Sequence, residues 1–314
     1  MYSDFIKENV AIKGAKRIGI YDENGNRVGQ IPLGALTIPK GKKMYSFAVM
    51  ADTHIGQTQE ANERYMKTIE WIAGNEDIAF VCHCGDIVND GLDTAHWGLY
   101  KEGVNALGEK PIYSIAGNHD RLSLVGDILQ EQTGHNVYYS FEHGGDVFIM
   151  LGVHFYNNGN ATQAMCQFYP RADLKAIHQI FEANRDKRCF IMHHVPPSAG
   201  LADFNIEAVQ NYYIPLSFFQ HYENSIVFHG HVGVDFAGQA RNDEANFSKS
   251  LGFQSVHIPP LYNYGEFYIA DVYKNGIHLQ GFDIDTKTYS SIASYWIPTE
   301  TKTIDAGTYT AWQG

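Results

Sequence analysis

Residues 44–54 read Met-Tyr-Ser-Phe-Ala-Val-Met-Ala-Asp-Thr-His, an apolar run that stops on two side chains able to hold a cation or move a proton. The stretch 45–51 has the length and composition of a buried strand. The same design recurs along the chain. A strand over 78–84 runs into Gly85-Asp86, one over 111–116 into Gly117-Asn118-His119-Asp120, one over 188–192 into His193-His194-Val195-Pro196, and one over 225–228 into His229-Gly230-His231. Between the first three lie two helical periodicities. Over 58–73, Tyr65, Ile69 and Ile72 share a face; over 93–107, Trp97, Tyr100, Val104 and Leu107 do. Strand–helix–strand units of this length predict a buried, largely parallel sheet with helices outside. Ligands of such sheets bind beyond the carboxyl ends of the strands, so the five polar termini are expected to converge.

Farther out, 137–141 and 147–154, split by Gly144-Gly145, read as antiparallel strands. A helix over 172–185 aligns Leu174, Ile177 and Phe181, and 253–297 is strand-rich with a hairpin turn at Asn275-Gly276. Near the start, strands over 17–21 and 27–31 flank Asn24-Gly25, a dipeptide that accepts the positive φ of a tight turn. Residues 1–43 are therefore expected to form a small β-hairpin extension and linker. Residues 44–314 then form one domain with a strand-rich C-terminal part. The expected fold class is α/β, with two packed mixed β-sheets flanked by helices.

Composition narrows the function. Of 314 residues, 44% are hydrophobic and 13% aromatic, enough to build a core and to exclude a disordered chain. Lys and Arg number 23 against 35 Asp and Glu, a formal charge of −12 that argues against a broad grip on nucleic acid. No apolar run approaches the roughly 18 residues of a membrane span. Residues 1–10 carry Asp4, Lys7 and Glu8 rather than an apolar leader, which reads as a cytoplasmic chain. Four cysteines in so long a chain, Cys82, Cys84, Cys166 and Cys189, read as reduced. The aromatic stretches 204–222 and 261–268 fit either a substrate pocket or a homo-oligomer interface.

The polar strand ends carry the chemistry. Asp, Asn and neutral imidazole suit Mn, Fe, Zn or a similar ion. Asp52, Asp86 and two or more histidines are too many for one open site, and they fit two divalent or trivalent ions with a carboxylate between them.

Asp52-x-His54, Gly85-Asp86 through Gly91, Gly117-Asn118-His119-Asp120, a His-x-Pro and a Gly-His pair, in this order, resemble the calcineurin-like metallophosphoesterase superfamily over roughly 44–262. The phosphodiesterase branch is the nearer likeness. The resemblance implies that Asp52 and His54 bind a first metal and that Asp86 bridges to a second. Asn118, His194 and His231 then hold the second metal. It makes His119 a catalytic histidine outside the ligand set, with Asp120 orienting its ring. It also implies a metal-bridging hydroxide attacking a small phosphate ester. His193 is the alternative to His194 if the strand is one residue shorter. One position departs from the family: its closing Gly-His-x-His appears here as Gly230-His231-Val232-Gly233, and Gly233 supplies no ligand. Asp235 or His257 is then a candidate for the gap.

Simpler readings stand beside these. Asp-x-His at a strand end also serves as a cap, and Gly-Asn-His-Asp as a turn. His83 between Cys82 and Cys84 suggests zinc, yet adjacent strand residues face opposite ways, so a buried strand position is the better reading. His154 and His229 stand close enough to strand ends to line the cleft. The expected function is a metal-dependent phosphodiesterase. Its alternatives are a phosphomonoesterase of the same fold, or a degenerate binding domain because of Gly233.

Overall fold

The computed structural model describes residues 17–21, 27–32, 41–120, 128–152, 171–196, 225–237 and 254–299. Strands β1 (Arg17–Tyr21) and β2 (Arg27–Pro32) form an antiparallel ribbon. Its turn at Asn24-Gly25 lies outside the described residues, as do Arg121, His154, Cys166 and the stretch 204–222.

Six strands make the first large sheet. β3 (Tyr45–Met50), β4 (Ile78–His83) and β5 (Ile112–Ser114) run parallel. β11 (Glu266–Tyr273), β12 (Gly276–Asp283) and β13 (Thr288–Pro298) extend the sheet antiparallel from β3, in the order β13-β12-β11-β3-β4-β5. Five strands make the second sheet: β6 (Tyr138–His143), β7 (Asp146–Leu151), β8 (Cys189–His193), β9 (Ser225–His229) and β10 (Gln254–His257). Its order is β10-β9-β8-β7-β6, parallel except for β6. Two mixed sheets thus stand where the sequence predicts them, and the five polar strand ends divide between them: β3, β4 and β5 in one, β8 and β9 in the other.

Alternation along the strands builds the layers. In β3, Phe47 and Val49 point between the sheets, while Ala48 and Met50 face the helices. The interior is aromatic. Phe47 stacks on Phe80 at 5.3 Å and meets the rings of Phe148, Phe190 and Phe228 from the opposite sheet at 5.1, 5.3 and 6.2 Å. Helices α1 (Gln59–Ala73) and α2 (Thr94–Ala106) cover the outside of the first sheet through Tyr65, Ile69, Ile72, Trp97 and Tyr100. A short α3 (Ile128–Thr133) adds the buried Leu129 to the same cluster. Helix α4 (Arg171–Ala183) covers the second sheet with Ile177 and Phe181.

Thr58 and Asp93 are N-caps rather than helical residues: Thr58 Oγ1 accepts from the Ala61 amide at 3.0 Å and Asp93 from Ala95 at 2.9 Å. A one-turn helix α5 (Leu261–Tyr264) interrupts the strand-rich segment, a feature the sequence does not announce. At the end of the sandwich where β3 begins, the buried Arg188–Asp146 pair is joined by the Tyr45 hydroxyl, which donates to Asp146 at 2.5 Å. Cys82, Cys84 and Cys189 are free thiols in buried positions. No helix among the described residues is long and apolar enough to cross a membrane.

Candidate metal centre

Pairing between β3 and β4 continues past the strands themselves. Cys84 N–H donates to Met50, Asp52 to Gly85, His54 to Asp86 and Ile55 to Ile87, at 2.8 to 3.1 Å. This lattice holds Asp52, His54 and Asp86 side by side at the sheet's carboxyl end. From the second sheet, Gly230 N–H donates to the His194 carbonyl at 3.0 Å and fixes the loops after β8 and β9 together. The two sets meet where His231 N–H donates to Asp52 Oδ2 at 2.9 Å.

Backbone geometry singles out the same residues. Asp52, His54, Asp86 and His231 have φ of 52, 41, 52 and 68°; the fifth non-glycine residue with positive φ among those described is Lys287. Left-handed backbone costs energy in L residues and persists where surrounding contacts enforce it, commonly at functional sites. Two glycines make room. A Cβ on Gly117 would stand 2.2 Å from Asp86 Oδ1, and one on Gly230 would stand 2.3 Å from Asp52 Oδ2.

Around Asp86 the donor atoms fall into two sets. His194 Nε2 lies 3.0 Å from Asn118 Oδ1, 3.2 Å from His231 Nδ1 and 3.4 Å from Asp86 Oδ2. On the other side His54 Nε2 lies 3.5 Å from Asp86 Oδ2 and 3.8 Å from Asp52 Oδ1, with the His119 ring edge-on to His54 at 4.5 Å. Ligand atoms of His54, Asp86 and His119 lie within 4.8 Å of one another, and so do those of Asp86, His194 and His231. His193, one residue before His194, turns away and donates from Nδ1 to the Val195 carbonyl at 2.5 Å.

Asp120 requires a correction. The resemblance gives it the task of orienting His119, but its carboxylate faces backbone instead. Oδ2 accepts from Gly117 and Ile87 at 2.7 and 3.2 Å, and Oδ1 from Val88 at 3.0 Å. Three converging N–H groups hold a buried carboxylate more firmly than one imidazole does. Asp120 therefore ties the loop after β5 to the loop after β4, next to Asp86. The His119 ring is oriented by Asn89: Nδ1–H donates to the Asn89 carbonyl at 2.9 Å.

Other neighbours complete the setting. His83 lies opposite the two cysteines and donates from Nε2 to Thr53 Oγ1 at 2.9 Å, because the Thr53 hydroxyl itself donates to the Ile87 carbonyl at 2.7 Å. Burial holds the His83 ring neutral, with its pKa lowered to about 3. Tyr262 of α5 sets its ring against His54 at 4.6 Å and its N–H on the Asp52 carbonyl at 3.1 Å. At Gly233 a Cβ would meet nothing within 4 Å among the described residues, and its φ lies outside the left-handed region. Neither Asp235 nor His257 belongs to the two sets of ligand atoms found among the described residues.

These residues suit a metal. Burial pushes the Asp86 carboxyl up, but the rings of His194, His54 and His119 outweigh it and hold Asp86 well below the usual carboxylate range. Burial lowers His194 while Asp86 raises it, to about 9. Burial and the adjacent His194 lower His231 to about 4. The His194 Nδ1–H donates to the Cys84 carbonyl at 2.9 Å, which turns Nε2 toward Asn118, His231 and Asp86. Metal-bound histidines characteristically anchor their second nitrogen in this way. Bonds of 2.0–2.1 Å in a tetrahedral site put ligand atoms about 3.3 Å apart, close to the spacing seen around His194.

The comparisons agree with this geometry. A stretch of 88 residues is 35% identical to the uncharacterized protein YvnB of Bacillus subtilis, covering 26% of this chain and 7% of that protein. In three dimensions the purple acid phosphatase PPD1 from yellow lupin (Lupinus luteus) superposes with a TM-score of 0.54 at 13% identity. That match covers 90% of this chain and 59% of the lupin chain, and it speaks to the fold alone. The family model of the calcineurin-like phosphoesterases matches residues 45–235, from β3 to the loop after His231, and the chain belongs to that family.

Proposed function

We propose that this domain is a two-metal phosphoesterase that hydrolyses a phosphodiester in a small substrate. One observation carries the reading: Asp86 contributes a ligand atom to both sets, His54–Asp86–His119 on one side and Asp86–His194–His231 on the other. A buried carboxylate with histidine nitrogens on both flanks is suited to serve two ions at once. On this reading Asp52, His54 and Asp86 hold the first ion, and Asp86, Asn118, His194 and His231 the second, with Mn, Fe or Zn matching the donors. Such ions activate water as a nucleophile and neutralise charge on a phosphate.

The chain's own residues supply the rest. His119 is fixed by its Nδ1–H bond to Asn89, which leaves Nε2 to carry a proton to the departing oxygen. Asp120 takes no part in proton transfer on this reading and sets the position of the Asp86 loop. Arg64, the arginine bonded to the Tyr262 carbonyl, is engaged with the Asn263 carbonyl, Glu60 and Asp285 rather than directed at the two sets. A monoanionic diester needs less positive charge from the protein than a dianionic monoester does, which favours the diester.

The test is elemental analysis combined with turnover of bis-p-nitrophenyl phosphate and p-nitrophenyl phosphate in Mn, Zn and Fe. Two ions per chain with faster diester cleavage is the expected result. One ion, or a preference for the monoester, would overturn the corresponding part. Gly233 favours a second reading, a metal-holding domain without catalysis. Bound metal with no turnover of either ester would select it.

A further inference from the structure

The loop after β9 has to hold His231 at a left-handed φ of 68° while presenting Nδ1 to His194. In the family's pattern a second histidine, two residues on, ties this loop to a metal; here that position is Gly233. Side chains from β10, β9 and α5 grip the loop's carbonyl groups instead. His257 Nε2 lies 2.8 Å from the Val232 carbonyl, which can only accept, so that nitrogen carries the proton and donates. The Tyr264 hydroxyl donates to the Gly233 carbonyl at 3.2 Å, and His229 Nδ1 to the Gly230 carbonyl at 3.3 Å. The rings of His229 and His257 stand 5.4 Å apart, opposite each other in the β9–β10 register. His257 is buried, whereas the Gly233 end of the loop faces solvent. Before His231 the loop is tied by the Gly230 N–H on His194 and the His231 N–H on Asp52; beyond it, the side-chain hold comes from inside the second sheet, one residue on, at the Val232 carbonyl.

We infer that His257 is a positioning residue for His231, whose grip on the Val232 carbonyl replaces the metal tether that Gly233 does not supply. Tyr264 gives a weaker second hold on the same loop. His257 touches neither substrate nor metal in this role. Its donated N–H fixes the carbonyl between His231 and Gly233, and so fixes where the His231 ring stands. The inference rests on the reading of His231 as a metal ligand, and the experiment separates the two.

The probe is Co(II), titrated into metal-stripped protein and followed by calorimetry and by its visible absorption, which reports ligand geometry. His257→Leu, which removes the donor, should weaken one of the ions by about tenfold, the lower end of what losing a hydrogen bond that supports a ligand costs. It should also alter the absorption of the bound cobalt. His257→Gln, whose amide N–H reaches a similar distance, should restore most of both. Tyr264→Phe should give a smaller shift in the same direction, and it remains informative if His257→Leu does not fold. Adding Gly233→His to His257→Leu should recover affinity, because the loop regains a metal tether. His231→Ala is the control on the underlying reading: if it leaves cobalt binding unchanged, His231 is not a ligand and the reading of the site fails. If His231→Ala abolishes an ion while His257→Leu and Tyr264→Phe bind cobalt like the parent, the positioning role is wrong and the site stands. Equal losses in His257→Leu and His257→Gln would likewise overturn the role assigned to the donated N–H.

Discussion

On one side of Asp86, His194 Nε2 lies 3.0–3.4 Å from Asn118, His231 and Asp86. On the other, His54 Nε2 stands 3.5 Å from Asp86 and 3.8 Å from Asp52. The tighter side draws on both sheets, with the His194 ring anchored on Cys84 and the His231 loop gripped from β10 and α5. The looser side draws on the β3 and β4 loops. On the proposed two-ion reading, the two sides need not bind equally well. Affinity follows how firmly the donors are held in advance, and the contrast teaches which side has its donor atoms already gathered and which has them farther apart.

The strongest way to break the contrast is to remove what the two sides share. Asp86→Ala should abolish turnover and lose at least one ion, measured by elemental analysis beside a kinetic assay. Retention of both ions with near-normal turnover would show that the sides are independent. Next in size is His119→Ala. Loss of a proton donor should lower turnover by about 10²–10⁴-fold without changing metal content. The loss should shrink for p-nitrophenolate, which needs little protonation on leaving. Equal losses for good and poor leaving groups would assign His119 to positioning, and a lost ion would make it a ligand of the looser side.

Gly233→His tests the looseness itself. Among the described residues the position has room for a side chain, and its φ is not left-handed, so the substitution should tighten the weaker ion by about tenfold and flatten the activation of dilute enzyme by Mn. Identical activation curves would mean that the first side is already complete. The smallest effect concerns the support behind that side. The His83 ring, lodged against Thr53 between Asp52 and His54, has its pKa lowered by burial from 6.5 to about 3. As pH falls below 6.5 the unfolded chain takes up this proton first, so the folded state loses stability from there down to about 3 and is unaffected above. His83→Gln keeps a donor toward Thr53 and does not titrate. Chemical denaturation at several acidic pH values should lose about 1.4 kcal/mol per pH unit from the slope of stability. An unchanged slope would show that His83 is not held neutral.

What the sequence disclosed follows from which groups bear a residue signature. Asp52, His54, Asp86, Asn118, His119, His194 and His231 follow strand ends, and a break from apolar to polar marks them in the sequence. The strands and the three long helices were legible for the same reason, burial imposing its period on the chain. The division of the five strand ends between two sheets was not, since pairing is decided between residues far apart in sequence. Asp120 misled because its type suits a histidine partner, while its real partners are the amides of Gly117, Ile87 and Val88, which any residue could supply. Asn89 was invisible as the support of His119 because it acts through a carbonyl. Tyr262 lies on a single helical turn too short to carry a periodic signal.

The aromatic interior has a reach beyond stability. Phe47 from one sheet interlocks with Phe148, Phe190 and Phe228 from the other, and the two halves of the site stand at the rim of that contact. The rings act as a spacer gauge: close-packed interiors transmit small volume changes rather than absorb them. Trimming Phe47 or Phe228 to leucine would let the layers slide, and the misalignment would appear at the rim as a changed distance between Asp52 and His231. The spacing of the two halves of the site is therefore set in part by residues that never see solvent.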